Sequence, residues 1–245
     1  MGNVKITHAM VLAAGLGLRM RPLSEATPKP MLKVGGKPMI DWVLDSLKNA
    51  GVGNAVINLH WLGEQIKDHT KQRPSPALSF IEEDPILETG GGILNALDCE
   101  MLGGGAFYAI NADQIWLDDE TPALEHLASV WDEEKMDALL LLQPLLTARG
   151  YDGSGDFNLD GGGRVERRHE NAMGELVFTG VQLLSPRLFS QPLEQKPGDA
   201  FSLNILYDKA IKQGRLFGVV HDGEWLHIGT PETLAQANAY LAGRE

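Results

Sequence analysis

A chain of 245 residues with 43% apolar content is long enough to bury a full core, and its length allows one large α/β domain or two small ones. No stretch approaches the ~20 consecutive apolar residues of a membrane span, and a formal net charge of -12 argues against a nucleic-acid partner, whose binding relies on an extended basic surface. The opening segment Met1-Gly-Asn-Val-Lys-Ile6 carries no apolar leader, and Cys99 is the lone cysteine, so no internal disulfide forms and the cytoplasm is the expected compartment.

Residues 10–13 read as a buried strand that opens into Gly15-Leu-Gly17-Leu-Arg19-Met-Arg21-Pro22, with Thr27-Pro-Lys29-Pro-Met31 soon after. Glycine lacks the Cβ that would hold a phosphate off the backbone, and the freed N–H groups can face an anion. Between Gly15 and Lys37 five bases oppose the single acid Glu25, a compact positive patch on an acidic chain. Prolines at 22, 28, 30 and 38 limit the conformations of this loop and lower the entropy cost of holding its charges in place. A dinucleotide fingerprint would need glycine where Met20 stands, and no Gly-Lys-Ser/Thr of a P-loop follows. The residues therefore describe a grip for a nucleoside triphosphate rather than an ordinary glycine turn.

Further along, residues 38–50 form an amphipathic helix with Pro38 near its first turn and Gly51 as its stop. Strands at 55–59, 78–82, 106–111 and 138–142 alternate with helices at 62–71 and 90–101. This order predicts an α/β fold of Rossmann-like, three-layer type: a mostly parallel, mixed sheet with helices on both faces. The second half changes character. Segments 156–159 and 165–168 flank Asp160-Gly-Gly-Gly163 as a hairpin, 175–184 is a long strand, and helices follow at 201–214 and 231–242, the last capped by Thr230 with Pro231 in first position. No repeat or linker divides the chain, so a single domain over 1–245 is expected.

Three places carry chemistry. Asn111-Ala-Asp113 follows directly on an apolar strand, which puts Asp113 at the carboxyl end of a parallel strand, where open α/β sheets bind ligands. A carboxylate there can hold Mg²⁺, or simply cap the next turn. Leu87-Glu-Thr-Gly90-Gly91-Gly92-Ile93 opens a helix; its glycines let a flat base lie on the backbone, and the free N–H groups of the helix offer donors. Trp225-Leu-His227-Ile-Gly229-Thr230 lies late in the chain.

Residues Leu12 to Leu23 and Thr27 to Pro30 match L-A-A-G-x-G-x-R-M-x-P-L and T-P-K-P, and the chain thereby resembles the sugar-1-phosphate nucleotidylyltransferases. The resemblance implies an enzyme that joins a nucleoside triphosphate to a sugar-1-phosphate and releases pyrophosphate, using Mg²⁺. It assigns Leu12, Ala13, Ala14, Gly15, Gly17, Leu18, Arg19, Lys29, Gly90 and Gly91 to the nucleotide and Asn111, Gly155, Asp156 and Gly180 to the sugar. Arg19 then serves the β/γ-phosphates, Lys29 the phosphates flanking the reacting centre, and Asp113 the metal. Residues 1–140 become a nucleotide-side half and 141–245 a sugar-side half.

Leu87-Glu-Thr-Gly-Gly-Gly-Ile93, Asn58-Leu-His-Trp61-Leu-Gly63 and Gly155-Asp-Phe157 are similar to the uridylyltransferases acting on N-acetylmuramic acid 1-phosphate in cell-wall recycling. The nearest rival is mannose-1-phosphate guanylyltransferase, using GTP, and a further alternative is a nucleotide-sensing module without catalysis. The family pattern W-x-D-x-G-T is broken by His227, a poorer partner for Mg²⁺ than a carboxylate. Three readings stay open there: His227 acts on the metal through water, it contacts phosphate as a donor, or Asp222 or Glu224 supplies the missing oxygen. Oligomeric state is not readable.

Overall fold

The computed structural model describes residues 4–190 and 193–244; the first three residues of the leader segment read above lie outside it. In chain order the first half holds β1 (His8–Leu12), β2 (Lys33–Val34), β3 (Lys37–Pro38), α1 (Met39–Asn49), β4 (Asn54–Leu59), α2 (Gly63–Thr70), β5 (Ala77–Glu82), α3 (Glu88–Asp98), β6 (Phe107–Asn111), β7 (Ile115–Leu117) and α4 (Ala123–Val130). The second holds β8 (Ala138–Pro144), β9 (Phe157–Leu159), β10 (Val165–Arg167), β11 (Leu176–Leu184), α5 (Asn204–Lys212), β12 (Leu216–Val220), β13 (Glu224–Leu226) and α6 (Pro231–Ala242).

A nine-stranded sheet runs β10-β9-β11-β6-β1-β4-β5, and β8 joins it between β11 and β12. Strands β1, β4, β5 and β6 are mutually parallel, as are β8 and β12, while β11 runs antiparallel to both β6 and β8. Side chains alternate across the strands as the pleat requires. Ala9, Val11, Tyr108, Ile110, Leu139 and Leu141 face one core with α1, α2 and α4; Met10, Phe107, Ala109, Leu140 and Leu142 face a second core with α3 and α5. The result is the expected three-layer, mostly parallel mixed sheet.

That topology gathers the candidate residues. Leu12 pairs in register with Asn58 on one side and Asn111 on the other, so the loops that leave β1, β4 and β6 open on the same carboxyl edge of the sheet. Strands β7 and β13 form a separate antiparallel ribbon in which Ile115 faces Leu226 and Trp116 faces Trp225. Each step beyond Leu226 runs toward Asp113, so the ribbon leads through His227, which lines a separate hollow with Arg149 and Tyr240, to Gly229 on the cleft, and leaves Asp222 at its far end.

Several elements depart from the sequence expectation. The ribbon, α4 and β12 were not foreseen, and the helix expected over 201–214 begins only at Asn204. Phe201 is held instead as extended chain: its N–H donates to the Leu87 carbonyl at 3.1 Å, and its own carbonyl accepts from Gly90 at 2.9 Å. Helix α3 starts two residues early, at Glu88, and takes the glycines into its first turns. The cap on α6 is as expected, with the Thr230 hydroxyl accepting from the Thr233 N–H at 3.3 Å. Among the described residues no helix is long and apolar enough to cross a membrane.

Candidate active site

Leu12, Ala13, Gly15, Gly17, Leu18, Arg19, Lys29, Asp113 and Gly229 line one cleft of about 410 Å³. Its walls follow from local structure. Gly17 is left-handed (φ 61°), and a Cβ there would meet Lys29 Cβ at 3.1 Å and Ser24 Cβ at 3.3 Å. The Ser24 hydroxyl donates to the Gly17 carbonyl at 2.7 Å, buried Met20 donates its N–H to the same carbonyl at 2.9 Å, and the Trp61 indole N–H holds the Ser24 carbonyl at 3.0 Å. The loop is thus tied down at its base while its tip stays open. Arg19 is exposed there and has no hydrogen bond or ion pair among the described residues.

Gly15 differs from Gly17: a Cβ at Gly15 would meet no protein atom within 4 Å. Packing does not demand glycine here, and the open space is compatible with close approach of a ligand to the backbone. Gly15→Val is therefore expected to leave stability within about 0.5 kcal/mol of the parent, as an open surface position does, while weakening nucleotide binding by at least ~10-fold, the cost of a misfitted phosphate contact. Gly90→Ala should do the reverse and lower stability by about 1–3 kcal/mol through overpacking. Calorimetric titration beside thermal melts of both variants separates the two effects; a strongly destabilised Gly15→Val protein would refute the first.

Lys29 sits in a 3₁₀ turn between Pro28 and Pro30 and forms an ion pair with the Asp113 carboxylate; their side chains are 14% and 24% exposed. The second Asp113 oxygen accepts from Gln114 Nε2 at 2.9 Å, and Gln114 Oε1 in turn accepts from the Trp225 indole at 3.0 Å. Gln114 thereby fixes both the carboxylate and the ribbon that bears His227. The His227 ring stacks on Trp225 (centroids 5.6 Å apart) and meets Tyr151 edge-on at 5.5 Å. Its Nδ1–H donates to the Gly150 carbonyl at 3.2 Å, leaving the Nε2 lone pair free. Burial pushes the imidazole below its usual pKa, the Gly150 bond opposes this, and the nearby Lys29 and Arg19 cations lower it further. A Cβ on Gly229 would stand 3.3 Å from both Arg19 Nη1 and His227 Nε2, so glycine is what allows these two groups to flank it.

The other two carboxylates that could supply a missing oxygen are placed less well for it. Both Glu224 oxygens are engaged on α6 and its end, one by the Tyr240 hydroxyl and the other by Arg244 at 2.6 Å. Asp222 lies at the distal end of the ribbon. Among the described residues no group of three or more His, Cys, Asp or Glu side chains could hold a metal ion. One carboxylate with a neutral imidazole nearby fits only an ion that takes most of its shell from phosphates and water, which is the habit of Mg²⁺.

A second hollow, of about 210 Å³, adjoins the first and is lined by Ala14, Gly15, Asn58, Glu83, Glu88, Thr89, Asn111 and Asp113. Gly90 and Gly91 do not line it, although Glu88 and Thr89 just before them do. Their N–H groups both donate to the Phe201 carbonyl, at 2.9 and 3.2 Å, and so are not free for a ligand. A Cβ at Gly90 would strike the Phe201 ring, one at Gly91 the Asp199 carbonyl, and one at Gly92 would lie 2.6 Å from Glu83 Oε1. The missing side chains at these glycines leave room for protein atoms.

What they admit includes a buried pair that sequence reasoning missed. Asn58 Nδ2 donates to Glu83 at 2.6 Å, Asn58 Oδ1 accepts from the Ala13 N–H at 2.7 Å, and Glu83 Oε2 accepts from the Leu87 N–H at 2.8 Å. This bridge ties β1, β4, β5 and the start of α3 into one wall. Its only sequence signal was the Asn58 segment noted above.

A third hollow of about 200 Å³ contains Asn111 and Asp156 together with Thr89, Phe157, Arg167, Phe178, Gln182, Asn204 and Tyr207. Both halves of the chain contribute to it. Gly155 and Gly180, the other two sugar candidates, do not line it. Gly180 is left-handed (φ 79°), and a Cβ there would lie 2.9 Å from Asn111 Nδ2, so glycine lets Asn111 and Gln114 pack close to it. Gly155 packs on the Gly174 backbone.

A family model described as nucleotidyl transferase matches residues 8–244. The chain belongs to the nucleotidyl transferase family. Within that family it is 37% identical to the N-acetylmuramate alpha-1-phosphate uridylyltransferase of Caulobacter vibrioides, across 96% of each chain. It is also 37% identical to the protein of the same name from Neisseria meningitidis serogroup B, across 96% of this chain and 98% of that protein. Two solved relatives share the fold. HddC from Yersinia pseudotuberculosis, complexed with GMP-PN, superposes with a TM-score of 0.73 at 26% identity, covering 96% of this chain and 100% of that one. A UDP-glucose pyrophosphorylase complexed with UDP-glucose gives 0.78 at 19% identity, covering 98% and 100%. This nucleotidyl transferase thus has three adjoining hollows on one sheet edge.

Proposed function

We propose that the chain is a sugar-1-phosphate nucleotidylyltransferase that couples UTP to N-acetylmuramate 1-phosphate, with release of pyrophosphate, as one domain serving the recycling of cell-wall sugar in the cytoplasm. The observation that carries this reading is the convergence of Gly15, Gly17, Arg19, Lys29 and Asp113 on one cleft. The choice of base and sugar is supported by the two uridylyltransferases that match almost end to end.

The chemistry asks little of the protein beyond placement. A sugar phosphate is already anionic at neutral pH, so no general base is required. One of its oxygens attacks the α-phosphorus, the bond from that phosphorus to the β-phosphate oxygen breaks, and pyrophosphate leaves with the electron pair. Charge repulsion and misalignment are the obstacles, and fixed cations with an open glycine backbone reduce both. Arg19, exposed and unpaired, is placed for the β/γ-phosphates. Lys29 is placed for the phosphates around the reacting centre. Asp113 would hold Mg²⁺, with His227 as a further candidate, and the ion when bound would supply positive charge to the nucleotide and sugar phosphates.

Pyrophosphate release measured over a grid of nucleoside triphosphates and sugar-1-phosphates tests the reading. The highest kcat/KM is expected for UTP with N-acetylmuramate 1-phosphate. A maximum at GTP with mannose 1-phosphate would reassign the substrates, and tight nucleotide binding without pyrophosphate from any pair would make the chain a sensor.

A further inference from the structure

We infer that Arg167 is the residue that selects an acidic sugar, by binding its carboxylate at the mouth of the third hollow. The inference rests on the function proposed above: N-acetylmuramate carries an ether-linked lactate whose carboxylate N-acetylglucosamine lacks. Of the residues lining the hollow, Arg167 is the one cation. The hollow opens past Asp156 and Arg167 into a wider cavity of about 680 Å³, which also contains Arg168 and Glu170. A ring seated beside Asn111 and Asp156 therefore has room for a branched substituent, and that substituent passes the guanidinium.

The guanidinium is preorganised for this task. Its Nε donates to Asp208 Oδ1 at 2.9 Å and its Nη2 to Asn204 Oδ1 at 2.8 Å, both from α5, and its Cζ lies over the Phe157 ring, 4.8 Å from the centroid. Nη1 has no protein partner among the described residues. A planar fork fixed along one edge with a donor left over on the other suits an incoming carboxylate, because little rotamer freedom is lost on binding. Arg168, the second cation of the wider cavity, is exposed, donates its Nη1 to the Ala172 carbonyl at 3.1 Å and does not line the hollow that would seat the ring. One Asp156 oxygen accepts from the Phe178 N–H at 2.9 Å, and the Tyr207 hydroxyl donates to Gln182 at 2.5 Å. Asp156 and Glu170 are acceptors, suited to sugar hydroxyls and unsuited to a second anion.

The test measures kcat and KM, with saturating UTP, for N-acetylmuramate 1-phosphate and N-acetylglucosamine 1-phosphate in the parent, Arg167→Gln, Arg167→Lys and Asp208→Asn proteins. Arg167→Gln is expected to raise KM for the acidic sugar by about 10–100-fold, the range of a lost charged hydrogen bond, with kcat and the neutral sugar nearly unchanged. Arg167→Lys should recover part of the loss. Asp208→Asn breaks the same ion pair but keeps the guanidinium, and should retain the preference for the acidic sugar, which separates recognition from folding. A parent that turns over both sugars, with Arg167→Gln losing equally on both or on neither, overturns the role of Arg167 alone. A parent that turns over neither overturns the underlying function and this inference with it.

Discussion

Asp113→Asn is expected to lower kcat by about 10²–10³-fold, the range seen when one preorganised electrostatic group is removed from a reacting centre. The carboxylate stands in the same cleft as Arg19 and Lys29, fixed through both oxygens by Lys29 and Gln114. Its negative charge opposes a bare triphosphate and favours one that arrives with a divalent ion. The variant should therefore bind metal-free UTP at least as tightly as the parent, yet gain less from added Mg²⁺. Titration calorimetry with and without Mg²⁺, beside steady-state rates, reads both effects. Near-normal turnover, or equal weakening of UTP binding in both conditions, would remove Asp113 from the metal.

The glycine loop and Asp113 were legible because each is announced within a few residues of chain. An apolar strand runs straight into Gly15, Gly17, Arg19 and Arg21, and another runs into Asn111-Ala-Asp113, so local order alone places both on the carboxyl edge of the sheet. The alternation of strands and helices likewise gave the layers. What escaped is built from partners far apart in sequence. Asn58 with Glu83, Gln114 with Trp225, and Arg167 with Asp208 are each joined by one hydrogen bond across 25, 111 and 41 positions, and no periodicity records such a pair.

The triple glycine shows the limit from the other side. A glycine signals that something comes close, but not what. At Gly15 the space is open to a ligand, whereas at Gly90 to Gly92 it is filled by Phe201, Asp199 and the Asn58–Glu83 pair. The ribbon was missed for a related reason: Ile115–Leu117 and Glu224–Leu226 are three residues each, too short for alternation to stand out. Yet that ribbon orders His227 and its two acidic neighbours along the chain: its register puts Asp222 at the end away from Asp113, while Tyr240 and Arg244 engage Glu224.

Lys29→Met should cut turnover on a scale similar to Asp113→Asn, about 10²–10³-fold, and an unchanged rate would remove Lys29 from the site. The paired variant is more informative than either alone. In the ligand-free cleft the two side chains neutralise each other, so removing Lys29 leaves Asp113 as an uncompensated negative charge where the triphosphate must lie. Lys29→Met is therefore expected to weaken metal-free UTP binding, opposite in sign to Asp113→Asn. Removing both charges should restore much of that binding without restoring catalysis, and the double variant should turn over no more slowly than about the worse single one, since groups that act as a unit are not additive. Additive losses in the full cycle, approaching the product of the two single effects, would mean that the ion pair has no part in how the cleft receives its phosphates.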